Sequence, residues 1–266
     1  MALDLAADEE SNHERLVEHI ESDPRLLFAI LIGANFPLFA GHQVVKTVRH
    51  AVARIGRQRT QSLFWLLALS DMLQTWHDLH PRTRELLWRH SLLTGVVAQR
   101  IVQDTDAGRS GIGLSAGIAH DIGHLLVLTR TTPLLGIVRC EQTDELVKQP
   151  ATALADRNHC GLGASLLEAW NAPPELIAAA RFHHAPWECT PPHRPLVAAV
   201  RMADLIAEHV DQERAAPPLR LDEAPAWREL ATLPPWNNVP DLHWRVLEGL
   251  SESLLLAEHL SKLLAI

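Results

Sequence analysis

The chain has 266 residues, of which 47% are hydrophobic, enough apolar material for one large core or two smaller ones. Its formal net charge of -8 disfavours nucleic acid as a partner, because phosphate binding calls for a basic face, and only Arg49, Arg54, Arg57 and Arg59 form a local basic group. The three cysteines, Cys140, Cys160 and Cys189, are too scattered for a disulfide framework or a Cys-x-x-Cys zinc site, which points to a reducing compartment.

Met1 to Glu10 is acidic and has neither the basic start nor the apolar core of a signal peptide, so the cytoplasm is the expected location. No apolar run reaches the roughly 18 to 20 residues of a bilayer span. The nearest, Leu63 to Leu73, contains Ser70 and Asp71 and reads as a core helix.

Helix signals dominate in chain order. Ser11-Asn12-His13-Glu14 has the form of a capping box ahead of Leu16, Val17 and Ile20. Asp23-Pro24 starts a second helix through Leu26, Leu27, Ile30 and Leu31 that Gly33-Ala34-Asn35 ends. A third, from about Gln43, carries Val44, Val45, Val48, Val52 and Ile55 on one stripe and stops at Gly56, and a fourth spans about Thr60 to Trp76. Pro81 opens a longer helix to about Gln103, which the apolar surface from Leu86 to Ile101 marks as the seam between two lobes.

After a polar break from Asp104 to Gly113 comes a central helix holding Ala119-His120-Asp121-Ile122-Gly123-His124. Pro133, Pro150, Pro173 and Pro195 precede further helices up to about His209. From Asp211 to Pro240 the prolines, Pro217-Pro218, Pro225, Pro234-Pro235 and Pro240, rule out continuous helix, and Trp227 and Trp236 are expected to seat this connector on the body. Pro240 starts a last helix with Trp244, Leu247, Leu254, Leu255 and Leu263 available for docking. No period-two strand is legible, so the expected class is all-α.

The chemistry centres on His120-Asp121. Its flanks are apolar enough to be buried, and a His-Asp pair without partners would lose its hydration at a cost of several kcal/mol. On one helix, His120 and His124 would share a face with Asp121 about 100° round from His120, a set suited to one cation. Candidate partners lie elsewhere in apolar patterns. His90 sits among Leu86, Leu87, Leu93, Thr94 and Val97; taken alone it reads more simply as a core histidine bonded to backbone. Asp204 lies within Val197 to Ile206 and needs either a cation or its neighbour Arg201, one turn earlier, readings of equal weight. His159 is placed near a helix start, as a metal-accessible imidazole or an exposed cap, and His183-His184 closes a helix begun near Pro174.

The stretches Asp23-Pro24-Arg25-Leu26-Leu27 through Ala34-Asn35-Phe36, and Ala51-Val52-Ala53-Arg54-Ile55-Gly56, together resemble the start of HDOD domains, bacterial signalling relatives of the HD metal-dependent phosphohydrolases. Trp88-Arg89-His90-Ser91, Ala119-His120-Asp121-Ile122-Gly123, His159 through Trp170, Pro173-Pro174-Glu175-Leu176-Ile177 and His183-His184-Ala185-Pro186 resemble the later motifs in the same order. The resemblance implies an N-terminal helical lobe, residues 1–80, packed on an HD-like helical lobe, residues 81–210, followed by the connector and docking helix, residues 211–266. It also implies a metal set of His90, His120, Asp121, His159, His183, His184 and Asp204, loaded with Fe, Mn or Mg rather than structural Zn, or left empty.

Two departures bear on activity. Many HD hydrolases carry lysine four residues after the motif histidine, where this chain has His124, largely neutral at pH 7. The residues after His183-His184, Ala185-Pro186-Trp187-Glu188, lack the Gly-Tyr-Pro signature of the cyclic-dinucleotide phosphodiesterases. Two functions are therefore expected. The first is a signal-transduction module that binds a protein partner or small nucleotide ligand through the N-terminal lobe or the tryptophan-bearing connector. The alternative is a phosphohydrolase acting on a nucleotide or cyclic dinucleotide, with Asp121 bridging the metals and His124 as general acid.

Overall fold

A computed structural model describes residues 13–35, 44–75, 81–105, 112–127, 150–211, 221, 225–233, 236–238 and 241–264, and every regular element among them is helical. Ser11, Asn12, Gln43, Trp76, Pro133, Cys140, Pro217-Pro218, Pro234-Pro235 and Pro240 lie outside these residues. The helices are α1 (His13–Ser22), α2 (Pro24–Asn35), α3 (Val48–Ile55), α4 (Arg57–Thr75), α5 (Pro81–Thr105) and α6 (Ile112–Ala119), then α7 (122–127) and α8 (Pro150–Ala169). They continue with α9 (Pro174–Phe182), α10 (Arg194–Asp211), α11 (Pro225–Leu230), α12 (Leu242–Glu248) and α13 (Leu250–Leu264). None of the described helices is long and apolar enough to cross a membrane.

The third helix begins one turn later than its valine stripe indicates. The Asn35 amide side chain accepts from the Val45 N–H at 2.7 Å and donates to the Val45 and Leu31 carbonyls at 2.8 Å, holding 44–46 out of the helix. Thr47 then caps α3 by accepting from the His50 N–H. Asn35→Ala is expected to lower stability by about 1 to 3 kcal/mol, because backbone groups in a half-buried place lose their partners. Urea denaturation measures this, and an unchanged midpoint would count against it.

One apolar cluster runs from Leu16 in α1 to Leu260 in α13. Its centre is α6, whose small residues let two helices close in from different sides. A Cβ on Gly95 would sit 2.8 Å from the Leu114 carbonyl oxygen, and one on Gly117 would strike the Gly95 backbone, so α5 and α6 touch backbone to backbone. On another side the Ser115 hydroxyl meets that of Ser62 in α4 at 2.6 Å. α5, the expected seam, packs on α6, α10 and α13, while α4 packs mainly on α6.

Trp227 and Trp236 are both buried in the main cluster, as expected of them. The expected single last helix is divided at Gly249, although the Gly249 N–H still donates to the Arg245 carbonyl and the Ser253 N–H to the Gly249 carbonyl. Leu242, Val246, Leu256, Ala257 and Leu260 dock, whereas Trp244 and Leu255 remain 61% and 67% exposed. The Trp88 indole N–H donates to the Ser261 hydroxyl at 3.2 Å and ties α13 to α5.

Candidate metal centre

The central helix is not continuous. It stops at Ala119, His120 and Asp121 form a turn, and α7 starts at 122. The His120 Nδ1–H donates to the Gly117 carbonyl at 2.6 Å, and the His124 N–H donates to the Asp121 carbonyl at 3.0 Å. His120 and His124 thus meet through Asp121 rather than along a shared helix face: their Nε2 atoms lie 3.4 and 3.6 Å from its Oδ2. Gly123 permits the turn to seat, because a Cβ there would collide with the His159 carbonyl oxygen and lie 2.7 Å from the Gly163 nitrogen in α8.

The other five sequence candidates reach the same place from four directions. His90, on α5, has Nε2 3.2 Å from Asp204 Oδ1 and 3.7 Å from Asp121 Oδ2. His159 lies midway along α8 and is fully buried, not at a helix start or in an exposed cap, because α8 already begins at Pro150. His159 Nε2 is 3.3 Å from Asp121 Oδ1, as is Nε2 of His183, the C-cap of α9. His184 is exposed, its ring 4.2 Å from that of His183 and 5.1 Å from that of His159, centroid to centroid.

Asp204 makes the ion pair with Arg201 and also faces two histidines. Oδ2 takes the Arg201 guanidinium at 2.5 Å, and Oδ1 faces His90 and, at 3.7 Å, His120 Nε2. Arg201 also reaches Glu208 at 3.4 Å, a brace that spacing along α10 permitted but that sequence reasoning did not assign. Two further contributors went unread in the sequence. Gly123 sets the approach of α7 to α8, and Cys160 places its Sγ 3.3 Å from His159 Nε2. The signal for Cys160 was its adjacency to a candidate ligand.

Burial and charge make this a poor place for unassisted polar groups. His120, His159 and His183 are 0% exposed. The His120 Nε2 and Asp121 Oδ1 atoms are buried without a hydrogen bond. His183 Nδ1 is turned to the carbonyls of Ala179 and Ala180 at 3.0 and 3.2 Å, so His120 and His183, as neutral rings, each present an Nε2 lone pair inward. Nε2 atoms of His159 and His183 then stand 3.2 Å apart, an arrangement that requires a proton or a cation between them. Three overlapping sets have all their ligand atoms within 4.8 Å of one another: His90, His120 and Asp121; Asp121, His124 and His159; and His159, Cys160, His183 and His184. The donors and the orphaned atoms fit a divalent metal.

Without metal, protons fill the gap. Burial alone would lower His120, but the charge of Asp121 and contacts with Asp121 and Asp204 outweigh it and raise its pKa to about 9. Burial likewise opposes charge on His159, and its contacts with the Asp121 carboxylate and Cys160 raise it to about 10. His184, exposed as a residue but with its ring partly desolvated, goes the other way, to about 4, through that desolvation and the charges of His183 and Arg201. His183 is also lowered, by burial first. Burial opposes the charged forms of Asp121 and Asp204, yet their histidine partners hold both well below the ordinary carboxylate value.

The signs give a pH profile. The raised His120 and His159 stabilise the fold fully below their unfolded value of about 6.5 and lose that contribution as pH climbs towards 9 and 10. The lowered His183 and His184 contribute above about 6.5 and lose it as pH falls, joined at lower pH by the two carboxylates. Metal-free protein is therefore expected to be most stable near pH 6.5, while divalent-metal affinity rises from pH 6.5 to 9 as His120 and His159 give up protons. Thermal melts with and without metal across this range check both trends; an affinity that falls with pH would contradict the assignment.

The profile of the HDOD domain family matches residues 2–186. The chain belongs to the HDOD family. An HDOD domain protein from Geobacter sulfurreducens superposes with a TM-score of 0.71 at 19% identity, covering 97% of this chain and 90% of that one. A Shewanella amazonensis SB2B protein provisionally named a metal-dependent phosphohydrolase gives 0.66 at 18% identity, over 95% and 89% of the two chains. These likenesses establish the HDOD fold. An uncharacterized protein of Treponema pallidum (strain Nichols) is 27% identical over 202 residues, 74% of this chain, and the chain spans only 38% of that protein's length.

Proposed function

We propose that this HDOD chain is a bacterial signal-transduction module that holds a divalent metal in the His/Asp centre and acts by binding a protein or small ligand. The observation that carries the reading is the gathering of His90, His120, His159 and His183 around Asp121 and Asp204, with His120 Nε2 and Asp121 Oδ1 left without hydrogen bonds. When bound, the metal supplies Lewis acidity and lowers the pKa of any water it holds. His90, His120, Asp121 and Asp204 would hold it on one side, His159 and His183 on the other. Asp121 Oδ2 and Oδ1 face the two groups respectively.

The absence of lysine at position 124 favours a module over an enzyme. Arg201, the guanidinium beside the centre, is engaged by Asp204 and Glu208 rather than aimed at a substrate phosphate. Trp227 and Trp236 are buried in the core, so the connector cannot offer them to a partner. Trp187 follows the histidine pair on the short turn Pro186–Glu188 and is 51% exposed, the aromatic anchor closest in sequence to the centre.

One observation supports the phosphohydrolase alternative: His124 is only partly buried, with a side-chain exposure of 16%, and faces Asp121, the position a general acid needs. The two readings separate in a turnover screen of the full chain loaded with Mn, Fe or Mg against nucleotides, cyclic dinucleotides and simple phosphate esters. The module gives no turnover above the metal-only blank. Turnover abolished by His124→Ala would establish the enzyme instead.

A further inference from the structure

We propose that Cys160 is a metal ligand, making the His159, His183 and His184 side of the centre a sulfur-containing seat that prefers zinc or ferrous iron to magnesium or manganese. The inference rests on the metal-binding reading above. It assigns this chain a donor outside the His/Asp set that the family resemblance supplies.

The geometry points there from three sides. Cys160 Sγ and the ring nitrogens of His159, His183 and His184 all lie within 4.8 Å of one another, four donors enclosing one volume. His159 Nε2 alone is approached by Cys160 Sγ at 3.3 Å, His183 Nε2 at 3.2 Å and Asp121 Oδ1 at 3.3 Å. A single imidazole proton cannot satisfy three such neighbours, all of which are acceptors in their metal-competent forms. A cation among them satisfies all three, and Asp121 Oδ1, otherwise without a hydrogen bond, gains a partner as well.

The other described cysteine differs. Cys189 is buried in a small apolar cluster with Ala178 and Val197, where a thiol serves as packing. Cys160 is half-buried on α8, with the neutral lone pair of His183 fixed inward by the Ala179 and Ala180 carbonyls.

Ligand chemistry sets the selectivity. A thiolate is soft, and binding it releases the thiol proton to solvent as the metal–sulfur bond forms. The opposite side, His90, His120, Asp121 Oδ2 and Asp204, offers only nitrogen and oxygen. The two sides should therefore differ in metal preference, the Cys160 side holding zinc most tightly.

The test is a titration of metal-free full chain with Co(II), followed by absorption and by X-ray absorption at the cobalt edge. Wild type is expected to develop a thiolate-to-cobalt charge-transfer band in the near ultraviolet and a sulfur shell at about 2.3 Å, the length of a metal–thiolate bond. Cys160→Ser should still bind cobalt and keep its far-UV dichroism, but lose band and sulfur shell, with the preference for zinc over manganese falling at least tenfold. The double variant Cys140→Ser/Cys189→Ser should keep both signals.

Cobalt bound by wild type without a sulfur signal, or a signal surviving in Cys160→Ser, overturns the sulfur ligand while leaving the metal reading standing. Failure of wild type to bind cobalt at all overturns both.

Discussion

Asp121→Ala is expected to abolish divalent-metal binding and to lower the stability of the metal-free protein by about 3 to 5 kcal/mol, the usual cost of removing one partner of a buried charge pair. Asp121 lies within 3.3 to 3.7 Å of His90, His120, His124, His159 and His183. Without it, histidines from four helices and a turn face one another with no anion, and the raised pKa values of His120 and His159 lose their main support. Asp121→Asn keeps the shape but not the charge, so it should lose metal as completely while costing less stability. Elemental analysis and urea denaturation of the three proteins separate the effects; wild-type metal content in either variant would show that Asp121 is not the shared ligand.

Gly123→Ala is expected to be nearly as damaging, through packing instead of charge. The new methyl would collide with the His159 carbonyl oxygen and stand 2.7 Å from the Gly163 nitrogen, both backbone atoms of α8 that no rotamer change can move. The α7–α8 contact must open, which puts the cost at about 3 kcal/mol, the upper part of the range for overpacking. Because His159 is carried on the segment pushed away, metal affinity should fall with stability. Gly161→Ala is the internal control, since a Cβ there meets nothing within 4 Å. Equal melting temperatures for the two alanine variants would contradict this account.

The site residues were legible because each is a polar group in an apolar helix pattern, and burial obliges such groups to find one another. His90, His120, Asp121 and Asp204 answer that demand together. The turn at His120-Asp121 was not legible, since the flanking apolar residues continue the helical pattern and only the Gly123 contact with a helix distant in sequence reveals the break. His159 was misplaced because Asp156-Arg157-Asn158 resembles a loop by composition, although Pro150 had already supplied a helix start. The docking face of the last helices is the stripe of Leu242, Val246, Ser253, Leu256, Ala257 and Leu260, whose helical spacing runs through Gly249, and Trp244 and Leu255 fall together on the opposite, exposed side. Cys160 is not legible from cysteine spacing, because its neighbours are histidines rather than other cysteines.

The central claim is that this centre is built to hold a divalent metal. Its most direct test is elemental analysis of wild type purified without chelator and without a histidine tag, beside His120→Ala and Asp204→Ala prepared identically. The account predicts at least one divalent metal per wild-type chain, retained through dialysis, and a loss of it in both variants. Wild-type protein that stays metal-free after incubation with manganese, ferrous iron and zinc would contradict it.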